Sequence, residues 1–373
     1  MTGDTVTQLL AGITNVTWQS LVMLAVAGVL LYLAIVREYE PLLLLPIAFG
    51  AILANLPLSP VVGEDGLLTI LYDAGIATEL FPLLIFIGIG ALTDFGPLLE
   101  RPRMVLLGAA GQFGIFGVLL LALALGFTRE EAASIGIIGA IDGPTSIYVS
   151  GILAPHLLGP ITVAAYSYMA LVPVIMPPVM RLLTSPEERR IRMAYSTRVV
   201  SRRMRILFPI AVTVIVGTLV PFATPLVGSL MLGNLMRESQ VVERLTHASA
   251  NELANIVTLF LGLAIGSTMV GEQFLLPSTL AILGLGILAF GLDTAAGLLF
   301  AKGLNVLAHG TFNPLIGAAG ISAFPMAARV VQRVASEEDF ENYPLMHAMG
   351  ANAAGQVASV IAGGVLLALM VGT

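Results

Sequence analysis

Long uncharged apolar segments dominate this chain and restrict the folds open to it. Residues 18–36, WQSLVMLAVAGVLLYLAIV, and residues 104–125 run for 19 and 22 residues without a charge. Each is long enough to cross the ~30 Å hydrocarbon core of a bilayer as a helix. Only 11% of the 373 residues are charged, against about 25% in soluble domains. The sequence therefore predicts an all-α polytopic membrane protein.

The positions of Lys and Arg predict how the chain is threaded, because these residues collect on the cytoplasmic side of a membrane. With the amino terminus outside, ten spans are predicted. They are 18–36, 41–56, 80–96, 104–125, 160–180, 206–222, 225–236, 251–270, 278–300 and 344–371. Segments 131–153 and 304–328 are interrupted by Gly and Pro, and we interpret them as re-entrant hairpins from the outer and the cytoplasmic face. Sixteen of the seventeen basic residues then lie inside, with only Arg129 outside.

Internal similarity divides the chain into two repeats. FGAILANL (49–56) resembles VGSLMLGNLM (227–236), which pairs Asn55 with Asn234, and IGAIDGPTS (138–146) resembles IGAAGISAFP (316–325). The predicted topology gives the copies opposite orientations. Inverted repeats with interrupted helices at matching positions are typical of secondary transporters, whose ion sites lie near the midplane.

The domain organisation follows from these repeats and from the charges. We predict an outer leader (1–17), a first membrane repeat (18–181), a basic cytoplasmic linker (182–205) and a second, inverted repeat (206–373).

Asp142, in GAIDGPTS, is the first residue with a chemical role to explain. An ionised carboxylate in hydrocarbon costs several kcal/mol, so it is expected to be protonated, paired or bound to a cation. One alternative is purely structural, in which Asp142 caps the helix that begins at Pro144. The other is an ion site, in which one carboxylate holds either Na⁺ or H⁺ and so couples the two.

A second group of candidates lies in NPLIGAAGISAFPMAAR, residues 313–329. Asn313 and Ser322 offer neutral oxygens, and Gly317 allows a close approach of the backbone. Arg329 lies near the predicted inner boundary, where ordinary snorkelling is the alternative to a functional role. Weaker candidates, among which Tyr168 and Asp293 are favoured, are Tyr166, Tyr168, Asp94, Asn234, Glu238, Asn251, Asn255 and Asp293.

Several classes of function are disfavoured by what the sequence lacks. Without cysteine there are no disulfides and no thiolate sites, and the four histidines have no metal-ligand spacing. No P-loop, GxSxG or HExxH motif occurs. We therefore expect no transition metal and no nucleic-acid partner.

The motifs together resemble a known family. GAIDGPTSIYVS, MLGNLMRESQVVERL, NPLIGAAGISAFPMAARV and LMHAMGANAAG are similar to the beta subunits of the sodium-pumping, biotin-dependent carboxylic acid decarboxylases, over about residues 20 to 370. Those complexes act on oxaloacetate, methylmalonyl-CoA, glutaconyl-CoA or malonate. The resemblance implies a subunit that decarboxylates carboxybiotin while exporting Na⁺.

The resemblance also implies roles for particular residues. Asp142 would carry the ion and the proton, with Tyr168 in the same polar pathway. Asn313, Gly317 and Ser322 would form a second ion site. Arg329 would receive carboxybiotin near the cytoplasmic side, because a guanidinium suits its carboxylate.

At the level of assembly, the resemblance implies a scaffold and a mobile core in each protomer and a homotrimer of this chain. The expected partners are a carboxyltransferase alpha subunit, a biotin carrier protein and a small membrane gamma or delta subunit. The expected location is the cytoplasmic membrane of a prokaryote.

The sequence departs from the family pattern at two places and leaves one rival function open. Ala140 and Ile141 precede Asp142 where the family usually has GGADGPT, and Met176 stands where a glutamine is usual. The rival is a stand-alone Na⁺-coupled carboxylate transporter, in which Arg329 would hold a substrate carboxylate. The sequence does not name the acid that the complex decarboxylates.

Overall fold

The structure is a computed structural model that describes residues 11–38, 41–194 and 199–371. Every regular element in these ranges is helical. The fourteen main helices are α1 (Trp18–Ile35), α2 (Pro41–Asn55), α3 (Leu80–Leu92), α4 (Val105–Ala110), α5 (Phe113–Ala124), α6 (Arg129–Gly136), α7 (Gly143–Leu153), α8 (Leu158–Leu183), α9 (Arg202–Leu219), α10 (Thr224–Ser239), α11 (Ala254–Ser267), α12 (Pro277–Leu307), α13 (Met326–Glu338) and α14 (Leu345–Val371). The all-α membrane fold predicted from the sequence is confirmed.

Five helical stretches in the described part of the chain are long and apolar enough to span a membrane, and two bent pairs raise the number to seven. The bent pairs join α2 to Pro60–Ile76 at 107°, and Pro155–Met169 to Leu171–Leu183 at 66°. The predicted number of ten spans therefore stays a prediction.

Several parts of the chain differ from the predicted boundaries. The segment 57–79 is partly helical, with Leu67–Leu71 leading into a wider turn at Tyr72–Ile76. Span 80–96 ends at Leu92, and span 104–125 is interrupted between α4 and α5. Helix α12 continues to Leu307, so the second broken segment starts later than residue 304. The reason is that no proline occurs between residues 278 and 313, so nothing ends the helix earlier.

The two halves of the chain hold each other through reciprocal helix pairs. In the pair α2 and α11, Gly50 and Gly266 bring the backbones into contact, and in the pair α3 and α10, Gly90 and Gly233 do the same. At each of the four glycines a Cβ atom would meet backbone of the partner helix. Small residues at such crossings allow the close packing typical of membrane helices.

Asn55 and Asn234 sit at corresponding ends of these two pairs. Asn55 donates its side-chain amide to the Met269 carbonyl over 2.7 Å and accepts the Gly271 amide at 3.2 Å. Asn234 donates to the Thr93 carbonyl over 3.0 Å. Each asparagine thus satisfies a carbonyl at the end of a helix in the other half. The pairing of Asn55 with Asn234 inferred from the repeat matches their equivalent contacts.

Both broken segments return to the place where they begin. The first hairpin starts near Glu131 and ends near His156, and these side chains meet at 2.9 Å. The second starts at Asn313 and is followed by Asn342, and both asparagines donate to the carbonyls of Arg189 and Ile191. The adjoining ends and buried middle of the first segment fit a re-entrant hairpin, and the re-entrant course of the second stays a prediction.

Candidate functional site

The tips of the two hairpins meet inside the protein. The backbone amide of Ser322, in the second hairpin, donates to the carbonyl of Ala140, in the first, over 3.3 Å. Asp142 follows Ala140 by two residues and is 4% exposed. The expected counterpart of the Asp142 break therefore does lie against it, and the interior contains two interrupted backbones side by side.

Both carboxylate oxygens of Asp142 accept hydrogen bonds. Oδ1 accepts the backbone amide of Thr145 at 3.3 Å, which caps the start of α7. Oδ2 accepts the hydroxyl of Ser359, on α14, at 2.8 Å. The predicted cap is present, but it uses only one oxygen. The second oxygen is held by another helix, so capping alone does not account for the residue.

Ile141, directly before Asp142, has a strained backbone. Its φ of 53° and ψ of 45° lie in the left-handed region, and its side chain is fully buried. That conformation costs an ordinary L-residue about 1–2 kcal/mol, and a branched Cβ makes it less favourable still. Burial of an isoleucine contributes roughly 1.5–3 kcal/mol, so packing offsets the strain and holds the turn that presents Asp142.

One face of α14 lines the junction of the tips. Asn352 donates to the Ile321 carbonyl over 2.6 Å, Gln356 donates to the Ser322 carbonyl, and Ser359 binds Asp142. The Ser322 hydroxyl in turn donates to the Gly355 carbonyl at 3.0 Å. Sequence reasoning missed these three α14 side chains. Their spacing of four and three residues, which places polar groups on one face of an apolar helix, was the available signal.

Helix α12 supports both tips from another side. The Tyr168 ring lies against Gly286 beside Ile138, and the Tyr168 hydroxyl donates to the Leu283 carbonyl. Further along α12, Gly297 packs directly on the Gly317 backbone of the second hairpin. Tyr168 and Gly317 therefore position the two hairpins against α12, and the hydrogen bond of Tyr168 goes to backbone rather than to Asp142.

Asp293 binds the backbone where the chain is interrupted between α4 and α5. Its side chain is fully buried, and Oδ1 accepts the amide of Gly114 in the first turn of α5. Gln112, at the same interruption, donates to the Gly320 carbonyl of the second hairpin at 3.3 Å. A carboxylate at a helix amino terminus is stabilised by the free amides there. Asp293 thus helps to hold a third interrupted helix beside the two tips.

Asn313 lies at the base of the second hairpin, where its side chain holds the basic linker. Its amide donates to the Arg189 and Ile191 carbonyls at 3.2 and 2.8 Å, and its Oδ1 accepts the Leu315 amide at 3.0 Å. The structure therefore gives Asn313, Gly317 and Ser322 three different sets of contacts: the linker, α12 and α14.

Ion pairs fasten the linker to the carboxyl end of α13. Arg189, whose side chain is 8% exposed, binds Glu338 with an N–O distance of 2.5 Å. Arg192 binds Asp339 through two parallel hydrogen bonds of 2.7 and 2.8 Å. The Arg192 guanidinium holds the pKa of the Asp339 carboxyl below its usual range. We call this group (Arg189, Arg192, Glu338 and Asp339) the linker clasp.

Arg329 lies on the exposed side of α13, one helical turn from Arg333. Arg333 donates to the Pro173 carbonyl at 2.9 Å. Within the described residues, no hydrogen bond or ion pair engages the Arg329 side chain. An exposed guanidinium of this kind is accessible to an anionic group.

The remaining candidates lie away from the tips. Asp94 and Glu238 surround Arg237, at 3.8 and 3.7 Å, near the ends of α3 and α10. Asn251 donates to the His247 carbonyl, and Asn255 is exposed. Tyr166 is the exception, because its ring lies over Gly143, directly after Asp142.

The junction of the tips presents several buried oxygens without a hydrogen-bond donor in the described residues. They are Tyr166 Oη, Asn352 Oδ1 and Gln356 Oε1. A buried polar atom without a partner is costly and calls for a ligand, a water or an ion. Unwound backbone at interrupted helices is where secondary transporters coordinate Na⁺, and buried neutral oxygens nearby could add ligands.

Comparisons with known proteins agree with this chemistry. Residues 19–370 match the family described as Na⁺-transporting oxaloacetate decarboxylase beta subunit. The chain is 53% identical to the methylmalonyl-CoA decarboxylase subunit beta of Propionigenium modestum, over 94% of each chain. It is 51% identical to the glutaconyl-CoA decarboxylase subunit beta of Acidaminococcus fermentans, covering 97% of this chain and 96% of that one. It is 48% identical to oxaloacetate decarboxylase beta chain 2 of Salmonella typhimurium, covering 93% and 94%.

Proposed function

Because the chain belongs to the beta-subunit family of the Na⁺-transporting decarboxylases, we propose that it decarboxylates carboxybiotin and uses the reaction to export Na⁺. The chain is a membrane decarboxylase subunit coupled to Na⁺ transport, as its family is. The carboxyl group would reach it on biotin attached to a partner protein. The resident ion would be held at the junction of the hairpin tips.

The observation that carries the proposal is the position of Asp142. Its carboxylate is buried, held by donors on both oxygens, and placed where two interrupted backbones touch. Asn352 and Gln356 contribute buried oxygens from α14, and the Ser322 backbone links them to the second tip. A carboxylate in this setting binds either a proton or a cation, since an uncompensated charge is too costly.

Decarboxylation consumes a proton, and this consumption can drive the exchange of Na⁺ and H⁺ at Asp142. When the N–C bond of carboxybiotin breaks, CO₂ leaves and the biotin nitrogen takes a proton. Asp142 supplies the site at which Na⁺ and H⁺ replace each other, so consumption of a proton is tied to movement of an ion. Arg329 would hold the carboxylate of carboxybiotin through charge-assisted hydrogen bonds. Tyr168, Gly317 and Asp293 would act by holding the backbones in place.

The assembly and location follow from the same family. We propose that the chain works as a homotrimer with a carboxyltransferase alpha subunit, a biotin carrier protein and a small gamma or delta subunit, in the cytoplasmic membrane of a prokaryote. The amino terminus would lie outside. The face with the linker clasp would be cytoplasmic, because it holds Arg189, Arg192 and Lys302 and basic residues collect on the cytoplasmic side.

The test uses the whole complex in proteoliposomes. Oxaloacetate, methylmalonyl-CoA and glutaconyl-CoA, the acids in the names of the relatives, are added in turn, and ²²Na⁺ uptake and CO₂ release are measured. Asp142→Asn removes the charge with little change in shape and should lower both rates at least about 100-fold. Asp94→Asn, a carboxylate 40% exposed beside Arg237, is the matched control and should retain both.

Coupled turnover at the normal rate in Asp142→Asn would overturn the assignment of this residue. Co-purification with a biotinylated protein separates the proposal from its rival, a stand-alone Na⁺-coupled carboxylate transporter. A chain that moved ²²Na⁺ with a carboxylate, with no biotinylated partner and no CO₂ release, would favour the rival.

A further inference from the structure

A cavity of about 800 Å³ lies beside the two ends of the first hairpin. Thr69 and Tyr72 line it from the segment between α2 and α3, and Thr268 and Ser278 line it from the turn between α11 and α12. Glu131 and His156 contribute the two ends of the hairpin. The connection between the predicted spans 41–56 and 80–96, which the predicted topology places outside, is therefore part of its wall.

The lining of this cavity is mixed, with hydroxyl groups and one carboxylate among apolar side chains. Hydroxyls from Thr69, Thr268, Ser278 and Thr279 line it, together with one carboxylate, Glu131. The Glu131 side chain is held in place, because Oε1 binds His156 at 2.9 Å and Oε2 accepts the Thr128 amide at 2.9 Å. Hydroxyls and a held carboxylate are suited to a partly hydrated monovalent cation.

The cavity approaches Asp142 along α8. Gly159 and Pro160, in the first turn of α8, line the cavity. Tyr166 is six residues beyond Pro160, which is about 9 Å along the helix axis at 1.5 Å per residue. Its ring lies over Gly143, and its buried hydroxyl has no partner in the described residues. A wall of less than two helical turns thus separates the cavity from the Asp142 site.

We propose that this cavity is the outer vestibule through which Na⁺ leaves the Asp142 site, with Tyr166 in the dividing wall and Glu131 at the mouth. The inference rests on the proposed function, to which it adds a route. The vestibule gives the ion an aqueous space on the outer side, so that exit requires movement only of the thin part of the wall around Tyr166.

The absence of cysteine from this chain allows a direct test with single introduced thiols. Ser278→Cys and Thr69→Cys place a thiol in the vestibule. Leu280→Cys and Ile70→Cys, 69% and 52% exposed and outside the lining, are their matched controls. Intact cells that contain the whole complex are treated with a membrane-impermeant trimethylammonium methanethiosulfonate. Inverted vesicles are then prepared, and ²²Na⁺ uptake and CO₂ release are measured with labelled and unlabelled samples.

Labelling of Ser278→Cys and Thr69→Cys from outside should lower ²²Na⁺ uptake at least fivefold relative to the unlabelled variants, while the two controls keep their uptake. If the unlabelled variants pump and the labelled vestibule variants pump equally well, the vestibule is wrong although the proposed function stands. If the unlabelled wild-type complex does not take up ²²Na⁺, the proposed function itself fails.

A charge-only change gives a second readout. Glu131→Gln retains a side chain that can complete the capping box with Thr128. Ser278→Cys is labelled with the cationic reagent and, separately, with an anionic methanethiosulfonate. Glu131→Gln should lower the ratio of the cationic to the anionic labelling rate roughly fivefold. An unchanged ratio of the two rates would overturn the assignment of Glu131 to the mouth.

Discussion

The two hairpins of this protein use different chemistry. The tip of the first hairpin carries Asp142, whose charge is held by the Thr145 amide and the Ser359 hydroxyl. The tip of the second carries no ionisable side chain between Asn313 and Arg329, and its carbonyls are satisfied by Gln112, Asn352 and Gln356. The difference indicates that the first hairpin supplies the charge and the second supplies a polar frame against which that charge is placed.

The bases of the hairpins also differ. The first is closed by His156 and Glu131, whose side chains are 64% and 22% exposed. The second is closed by the linker clasp, in which Arg189 is almost completely buried. We therefore expect the second hairpin to be the more firmly anchored of the two.

The largest stability effect should come from the contacts of the tips with α12. A Cβ at Gly317 would meet the backbone of Gly297, whereas a Cβ at Gly139 would meet the end of the Asp293 side chain at 2.7 Å. Gly317→Ala should therefore destabilise the protein by about 3 kcal/mol or more, and Gly139→Ala by about 1–2 kcal/mol. Thermal unfolding of the purified chain in detergent measures both, and equal losses would show that the tips are held alike.

The bases of the hairpins can be compared by removing one carboxylate from each. Glu338→Ala leaves the buried Arg189 charge without its carboxylate and should cost about 2 kcal/mol. Glu131→Gln removes one partner of a half-exposed pair and should cost at most about 1 kcal/mol. Chemical unfolding of the two variants gives both values. A larger loss at Glu131 would contradict the view that the second hairpin is the better anchored.

Two hydroxyl groups allow the Asp142 carboxylate to be tested separately from the second hairpin. Ser359 binds Asp142, and Ser322 belongs to the tip of the second hairpin. Ser359→Ala removes a hydrogen bond to a carboxylate, worth about 1.5–3 kcal/mol, and should raise the Na⁺ concentration for half-maximal uptake roughly tenfold. Ser322→Ala removes a neutral bond to the Gly355 carbonyl, with an expected rise of about threefold.

The control for this pair is Ser150→Ala. Its hydroxyl donates only to carbonyls within its own helix, so its loss should leave Na⁺ dependence unchanged. Equal effects at Ser322 and Ser359 would mean that the second tip contributes to ion binding as much as the hydrogen bond to Asp142 does.

The smallest effect should be a pH dependence confined to the linker clasp. The pKa of Asp339 is held below its usual value by Arg192. The stabilisation is therefore present above the ordinary aspartate pKa of about 4 and is lost as the pH falls through the lower folded-state value. Amide exchange at residues 190–194, corrected for its intrinsic pH dependence, should be slow at pH 5–7 and rise about two- to fivefold in more acidic solution. Asp339→Asn should exchange at the faster rate at every pH.

The sequence predicted the features that arise from local chemistry. The interruption at Asp142 followed from Gly143 and Pro144, and the length of the apolar segments predicted the helices. The pairing of Asn55 with Asn234 was predicted from the sequence similarity, and each of the two side chains donates to a carbonyl at a helix end.

What the sequence did not predict depends on contacts between distant parts of the chain. The linker carbonyls that Asn313 binds lie more than 120 residues away, and no local pattern encodes that distance. The α14 side chains that bind the tips are neutral amides and hydroxyls, which carry little signal until their partners are known. Ile141 adopts a left-handed conformation that its own side chain disfavours, so only the surrounding packing explains it.

The reciprocal asparagine caps have a consequence for biosynthesis. The Thr93 carbonyl is satisfied by Asn234, which is made 141 residues later, and the Met269 carbonyl is satisfied by Asn55, 214 residues earlier. At a synthesis rate of about 5–20 residues per second, the ribosome needs roughly 7–30 s after Thr93 to reach Asn234. During this time the carbonyl at the end of α3 lacks its asparagine partner. A chaperone or insertase that shields this helix end would act in this interval.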